Sequence, residues 1–228
     1  MEMIKTFFNI IVHLDKYLVM LVSQYGVLTY GILFLIIFAE TGLVITPFLP
    51  GDSLLFAAGA ITAIGSLNIT LITFVLICAA IIGDSTNYWI GRKFGLAIAN
   101  NPKIPFINQD HIAKTEQFFK KYGKKTVILA RFIPIVRTFA PFIAGIGKMR
   151  YRTFLFFSVI GSTAWISIFT LAGYFFGNMP MVKTNFHYVI FAIIFLSLVP
   201  AVYEYIAQKK HARNQTVKPS EIEELVNS

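Results

Sequence analysis

The sequence predicts an all-α, polytopic helical membrane protein whose two halves form an inverted repeat, with a re-entrant hairpin in each half. The first observation is composition: of 228 residues, 56% are hydrophobic and 14% are charged, whereas soluble domains have about 25% charged residues. The second is a set of uncharged segments, each about as long as the roughly 20 residues that a helix needs to cross a hydrocarbon core. These segments are residues 17–39, 53–83, 153–182 and 184–203.

Residues 1–24 are expected to form an amphipathic helix at the membrane interface, followed by a transmembrane domain at 25–206 and a cytoplasmic tail at 207–228. Polar and apolar side chains recur at helical spacing in residues 2–16, which would give a helix one polar and one apolar face. Such a helix lies in the plane of the membrane surface. Glu2 stands where a secretory signal would be basic, so we do not expect this segment to be removed.

The basic residues are concentrated in a few segments of a chain with net charge +9. Residues 92–152 contain 13 of the 20 lysines and arginines, whereas residues 41–83 contain none. Cytoplasmic loops of membrane proteins concentrate lysine and arginine, so residues 92–125, residues 148–152 and the tail are expected on the inner side of the membrane. We attribute the positive charge to topology and to attraction of anionic lipids, not to nucleic-acid binding.

Two proline-containing segments are predicted to be re-entrant hairpins, which enter and leave the membrane on the same side. Residues 126–147 lie between two basic inner segments and are interrupted by Pro134 and Pro141. Residues 44–65 are also interrupted by prolines, and the charge distribution places both of their ends outside. Irregular backbone is tolerated at membrane depth where protein covers it or where it lines an aqueous cavity. Further spans are predicted at residues 69–90, 153–177 and 186–206.

The two halves of the chain share an order of motifs. The first hairpin ends in Ala58-Gly59 and the second in Ala144-Gly145. Each is followed by a long apolar helix that contains a tryptophan and ends in a G-x-x-F-G motif, at residues 91–95 and 173–177. Because the hairpins enter from opposite faces, this order indicates an inverted repeat of the kind found in secondary transporters, whose binding site lies where the broken segments meet.

Four ionisable residues fall within or beside the hairpins, namely Glu40, Asp52, Arg131 and Arg137. An unpaired charge at the centre of a bilayer costs about 2.5–3.5 kcal/mol or more. The acids belong to the first hairpin region and the arginines to the second, so opposite charges meet if the hairpins meet. They would then form either a purely structural ion-pair network or a functional site in a water-accessible cavity, and both interpretations remain open from the sequence.

The functional interpretation assigns phosphate binding to Arg131 and Arg137 and proton exchange to Glu40 and Asp52. The planar guanidinium binds phosphate through two parallel hydrogen bonds and keeps its charge. Burial favours the protonated form of a carboxyl group, whereas a nearby arginine favours the charged form, and the balance allows proton exchange near neutral pH. Together these residues would suit a proton-coupled carrier of an anion.

Asp84 and Arg92 are interpreted as supporting residues. They are eight residues apart in GDSTNYWIGRKFG, which places them about two turns apart on one side of a helix. Arg92 is expected to extend to the inner interface. Asp84 lies deeper and is expected to pair with an arginine of the second hairpin.

Three ordered segments resemble the DedA family of bacterial membrane proteins, also called the VTT or SNARE-associated domain, over about residues 25–180. They are PFLPGDSLLFAAG, GDSTNYWIGRKFG and FFKKYGKKTVILARFIPIVRTFAPFIAGIGKM. The resemblance implies paired re-entrant hairpins, with the family's essential acids at Glu40 and Asp52 and its essential arginines at Arg131 and Arg137. It also implies a flippase that returns undecaprenyl phosphate, the carrier lipid of the cell wall, to the inner leaflet and depends on the proton-motive force. Eukaryotic relatives are lipid scramblases.

Other functions remain open, among them a proton-coupled small-molecule or drug antiporter and a passive phospholipid scramblase. An intramembrane enzyme is not expected, because the sequence has neither G-x-S-x-G nor H-E-x-x-H and no histidine near the arginines. The single cysteine, Cys78, and the four scattered histidines have no metal-ligand spacing. We therefore expect no metal site and no cofactor.

Overall fold

The structure, a computed structural model, describes residues 14–43, 51–65, 67–99 and 109–185, together with 188–189, 192–193 and 195. All regular elements in these ranges are helical, which agrees with the predicted all-α class. In chain order they are α1 (Leu14–Tyr25), α2 (Leu28–Gly42), α3 (Gly51–Thr62), α4 (Ile69–Ala99), α5 (Gln109–Tyr122), a 3-10 turn (Gly123–Lys125), α6 (Thr126–Leu129), a second 3-10 turn (Ala130–Phe132), α7 (Pro134–Ile146), α8 (Tyr151–Phe176) and α9 (Pro180–Thr184).

Some predicted segments lie outside the described residues. Most of the N-terminal amphipathic segment and the tail at 207–228 belong to this group. So do residues 44–50, the first arm of the first hairpin, and all but five residues of the span predicted at 186–206. The domain boundaries drawn from the sequence therefore stay predictions.

The two longest helices are apolar and long enough to cross a membrane. They comprise residues 69–95 of α4 and the whole of α8, at 27 and 26 residues. Their outward faces carry large apolar side chains, and Phe74, Phe156 and Phe175 are each more than 60% exposed. An apolar surface of this kind is unfavourable in water, whereas it suits contact with lipid acyl chains. These helices match two of the spans that the sequence predicts.

Two other helices, α3 and α7, are too short to cross a bilayer. They contain 12 and 13 residues, which corresponds to about 18–20 Å of helix against a hydrocarbon core of about 30 Å. Helix α7 begins at Pro134, a favoured first position because proline has no N–H to leave unsatisfied. Helix α3 is almost entirely buried, so protein, not lipid, surrounds it.

The buried apolar side chains form two clusters. The first surrounds α3 and includes the first half of α4 together with Trp165 and Ile166 of α8. The second surrounds α7 and includes Tyr88 from the second half of α4 and Phe154 from the start of α8. Each short helix thus organises one cluster, and the middle of α4 and α8 lies between the two.

Each short helix packs on the long helix of the other half of the chain, at crossings formed by glycine. A Cβ atom at Gly59 of α3 would overlap the Thr170 carbonyl of α8, and one at Gly173 would overlap the Phe56 carbonyl. The α7–α4 crossing repeats this arrangement, since Gly145 faces the Tyr88 carbonyl and Gly91 faces the Phe142 carbonyl. In each of the four helices the glycine follows the crossing carbonyl by three residues, in the pairs Phe56–Gly59, Tyr88–Gly91, Phe142–Gly145 and Thr170–Gly173.

The α7–α4 crossing predicts a large effect for Gly145→Ala. The added methyl group would meet backbone atoms of α4, which cannot move aside as a flexible side chain would. We expect a loss of about 1–3 kcal/mol in the free energy of unfolding, measured by thermal unfolding of the purified protein in detergent.

Gly31→Ala in α2 is the matched control, because Gly31 is exposed and nothing lies within 4 Å of its added Cβ. Alanine is also the better helix former, by up to about 1 kcal/mol. This variant should therefore melt at the wild-type temperature or above. Equal melting temperatures for the two variants would contradict the close backbone contact between Gly145 and α4.

Candidate functional site

Two carboxylates are brought together at the beginning of α3. Glu40 lies in the last turn of α2, and a Cβ added to Gly51 would overlap its carboxylate. Asp52 lies in the first turn of α3. The N-terminus of a helix carries a partial positive charge from its unpaired N–H groups, so this position partly offsets two neighbouring negative charges. The offset is small, and like charges this close need a cation as well.

Arg137 supplies that cation from the first turn of α7. Its Nη2 lies 2.5 Å from Oε1 of Glu40, and its Nη1 lies 2.8 Å from Oδ1 of Asp52. Each carboxylate thus occupies a different nitrogen of the same guanidinium fork. Glu40 and Arg137 are buried and Asp52 is nearly so. Buried charge-assisted hydrogen bonds of this kind are strong, and losing one partner is costly.

Arg131 has a different partner. It lies in the 3-10 turn before α7 and forms an ion pair with Asp84 of α4. Ser162 of α8 accepts a hydrogen bond from Nη2 of Arg131 at 2.8 Å, and Ser158 donates one to Oδ2 of Asp84 at 2.6 Å. A pair between Asp84 and an arginine of residues 126–147 was predicted from the sequence, and the structure contains that pair. The two arginines therefore do not share one set of acids.

Trp165 connects the two ion-pair groups, and the sequence analysis missed this role. Its indole N–H donates to Oδ1 of Asp52 at 2.8 Å. The guanidinium carbon of Arg137 lies 4.6 Å from its ring centre and that of Arg131 lies 5.7 Å away, both within cation–π range. A signal was available, because Ser158, Ser162 and Trp165 recur at intervals of four and three residues on one face of α8.

Two further residues define the limits of the site. Asn87 of α4 donates to the carbonyls of Thr138 and Thr41, at 2.8 and 3.3 Å, and so links α4 to α7 and α2. Arg92 is exposed and donates to the hydroxyl group of Tyr88 at 2.7 Å. The contacts described for Arg92 are with Tyr88 and Met149 and not with the buried ion pairs, and its supporting role stays a prediction.

The described part of the site contains more acids than bases. Two guanidiniums, of Arg131 and Arg137, face three carboxyl groups, of Glu40, Asp52 and Asp84. Full ionisation would leave one net negative charge in a buried region, where unbalanced charge is expensive. Nη1 of Arg131 is buried and has no hydrogen-bond partner among the described residues. No group of three metal-binding side chains occurs among them either.

Two bilayer-length apolar helices, two half-length helices and a buried group of charges define a helical membrane protein. The VTT domain matches residues 49–175, a region that includes every buried charge described above except Glu40. The chain belongs to the DedA family of membrane proteins.

Curated relatives support this assignment over most of the chain. Protein DedA of Escherichia coli (strain K12) is 50% identical over 214 residues, 93% of this chain and 98% of that protein. An uncharacterized membrane protein of Mycobacterium tuberculosis is 46% identical over 174 residues, 75% of this chain and 76% of its own. Inner membrane protein YqjA of Escherichia coli (strain K12) is 33% identical over 159 residues, 70% and 72% of the two chains. No solved structure is a significant match.

The Arg131–Asp84 pair predicts non-additive effects of substitution. Asp84→Asn alone leaves a buried guanidinium without its counter-charge and should lower the free energy of unfolding by about 3–5 kcal/mol. The double variant Asp84→Asn with Arg131→Gln removes both charges and should be more stable than either single variant. Chemical unfolding in detergent measures all three. Arg152→Gln combined with Arg131→Gln is the control, since Arg152 is exposed on α8, and the effects of these two substitutions should add. Additive effects of the Asp84 and Arg131 substitutions would contradict the prediction.

Proposed function

We propose that this protein is a proton-coupled transporter that returns undecaprenyl phosphate to the inner leaflet of the bacterial cytoplasmic membrane. The observation that carries the proposal is the arrangement at Arg137, whose two Nη atoms hold Glu40 and Asp52 separately. A phosphate group that binds an arginine bidentately uses the same type of fork. The two carboxylates therefore compete with a phosphate for one binding surface.

This competition couples phosphate binding to protons. When Glu40 and Asp52 are charged they hold the guanidinium, and a dianionic or monoanionic phosphate must displace them. Each carboxyl group that accepts a proton becomes a weaker partner for Arg137 and leaves a donor available to the phosphate. Proton uptake from one side thus favours phosphate binding, and proton release to the other side favours its departure. No covalent step is needed.

The surplus carboxyl group supports the same coupling. Among the described residues, protonation of one of the three carboxyl groups would make the buried group electrically neutral. Arg131, with its buried Nη1 donor, would provide a second cation for the phosphate. We assign Arg131 and Arg137 to phosphate binding, Glu40 and Asp52 to proton exchange, and Asp84 to positioning Arg131.

We further propose that α3 and α7 are the second arms of two re-entrant hairpins in an inverted repeat. The related glycine crossings support this, because each short helix meets the opposite long helix through the same three-residue spacing. The concentration of basic residues favours a cytoplasmic location for the ends of the second hairpin and for the tail. The polyprenyl chain of the substrate would remain in lipid beside α4 and α8. The choice of undecaprenyl phosphate rests on the family resemblance.

Arg137→Lys is expected to reduce transport about tenfold or more. Lysine keeps the charge but has one nitrogen in place of a fork, so it cannot hold two oxygens in the same geometry. The measurement is movement of labelled undecaprenyl phosphate in proteoliposomes. Arg152→Lys, at an exposed position on α8, is the control and should transport normally. Wild-type rates for Arg137→Lys would exclude a bidentate phosphate site.

Transport is expected to follow an imposed pH gradient and to lose this dependence in Glu40→Gln and in Asp52→Asn. An amide accepts no proton near neutral pH, so the exchange step is removed, whereas Asp52→Glu should retain part of the coupling. The assay compares flux with and without a protonophore, after melting temperatures have shown that the variants fold.

The same assay separates the alternative functions. Wild-type flux that ignores the gradient would indicate a passive scramblase, in which the acids only neutralise arginines. If the protein dissipates the imposed pH gradient but does not move labelled undecaprenyl phosphate, the result would indicate an antiporter for another anion. Labelled phosphatidylglycerol, tested in parallel, reports whether transport extends to bulk phospholipid.

A further inference from the structure

Arg92 lies far from the buried ion pairs, near the C-terminal end of α4. At 1.5 Å per residue it is about 35 Å along the helix from Ile69, the first residue of α4. A hydrocarbon core is about 30 Å thick, so Arg92 is at the depth of lipid headgroups when Ile69 is at the opposite interface. Aromatic rings at this level are typical of a membrane boundary, and the rings of Trp89 and Tyr151 lie 5.6 Å apart beside it.

The guanidinium of Arg92 is held in place by one of its edges. Nη1 donates to the Tyr88 hydroxyl group at 2.7 Å and to the Met149 carbonyl at 3.3 Å. Its central carbon also lies 6.0 Å from the ring centre of Tyr88 and 5.9 Å from that of Trp89. Tyr88 is fully buried and itself bonds to the Met149 carbonyl. Arg92 is therefore preorganised, and its Nη2 and Nε donors are not engaged by these contacts.

None of the ion pairs seen between described residues involves Arg92. Other cations are close in the chain: Lys93 adjoins it, and Lys148 and Arg150 flank the Met149 carbonyl that it binds. All four of these basic side chains are exposed. The result is a basic surface with one rigid arginine, rather than a set of independently mobile charges.

The backbone at Lys148 supports a specific role for this surface. Lys148 has φ +49° in the turn between α7 and α8, where Met149 N–H donates to the Ala144 carbonyl and Lys148 N–H to the Gly145 carbonyl. This is the hydrogen-bond pattern of a Schellman turn, in which glycine usually occupies the left-handed position. A lysine there accepts backbone strain, and observed strain of this kind is a reason to look for function.

We propose that Arg92, Lys93, Lys148 and Arg150 form a binding site for the phosphate of an anionic phospholipid in the adjoining leaflet. The unengaged edge of Arg92 would bind the phosphate, and the neighbouring cations would add attraction. Trp89 is 44% exposed and Phe94 57% exposed, so apolar side chains border the site and suit acyl chains. This favours a lipid phosphate over a free anion. The site is separate from Arg131 and Arg137, and it does not require the protein to move a lipid.

Trp89 provides a direct probe of the site. The chain has two tryptophans, and the other, Trp165, is fully buried. The protein is placed in nanodiscs that contain either brominated phosphatidylglycerol or brominated phosphatidylcholine, with the bromine atoms at the headgroup end of the acyl chain. The quenching of tryptophan fluorescence is then measured. We expect stronger quenching by brominated phosphatidylglycerol, with about a fivefold preference that Arg92→Gln removes.

Two further variants distinguish a specific site organised around Arg92 from general attraction to a basic surface. Lys120→Gln removes one charge from an exposed position on α5 and should leave the preference unchanged. Tyr88→Phe keeps every charge but removes the hydroxyl group that holds Arg92, and should reduce the preference by about half or more. Melting temperatures confirm that each variant is folded.

The outcomes are distinct. Equal quenching by both brominated lipids in the wild-type protein would overturn the proposal, and so would equal losses in Arg92→Gln and Lys120→Gln. An unchanged preference in Tyr88→Phe would show that a preorganised Arg92 is not used. Inorganic phosphate added as a competitor should not relieve the quenching, and relief at millimolar concentrations would indicate a site for a free anion instead.

Discussion

A guanidinium buried in the membrane must be neutralised by acids that reach it from other helices, and the rest of this structure depends on that requirement. Arg137 of α7 binds Glu40 of α2 and Asp52 of α3, so one side chain joins α7 to two consecutive helices that lie 97 and 85 residues earlier in the chain. The second pair, Arg131 with Asp84, adds α4, and the serines of α8 complete the set. These charges lie between two apolar clusters, so the loss of one partner leaves a buried charge unpaired, which is costly. Loss of one partner would consequently weaken the packing of several helices and not only one contact.

The close helix packing at the glycine crossings allows the charged groups to reach ion-pair distance. A side chain at Gly59 or Gly145 would push a short helix away from its long partner, and the displacement would reach the first turn of that helix, where Asp52 and Arg137 lie. Backbone-to-backbone contact also fixes each short helix along the length of the long one, because a carbonyl and a glycine must coincide at two points. The packing that appears apolar and generic therefore determines the geometry of the polar site. The geometry of the polar site therefore depends on the glycines at the crossings as well as on the charged residues themselves.

The all-helical class, the two long spans and the meeting of opposite charges could be predicted from the sequence, because each follows from a strong physical penalty. Charged residues in apolar segments must find partners, and the acids and arginines occupy different halves of the chain. Which acid pairs with which arginine could not be predicted, since that depends on the depth of each helix: both Glu40 and Asp52 bind Arg137, and Asp84 takes Arg131. The alanine–glycine pairs were recognised as motifs, but their partners are carbonyl groups, which leave no signature in a sequence. Trp165 was noted only as a repeated residue, because its contacts with both arginines depend on where α8 lies relative to the 3-10 turn of Arg131 and to the first turn of α7.

The sequence distance between the paired charges has a consequence for synthesis. Glu40 and Arg137 are 97 residues apart, which at a ribosomal rate of 5–20 residues per second is an interval of roughly 5–20 s. During that time Glu40 and Asp52 enter the insertion machinery before their arginine has been translated. The long helix on which α3 packs, α8, is synthesised later still. The early half of the chain must therefore remain hydrated, protonated or held by an insertase until the late half arrives. Truncation after α4 would leave a membrane fragment whose carboxyl groups lack the arginines that pair with them, a form suited to recognition by quality-control proteases.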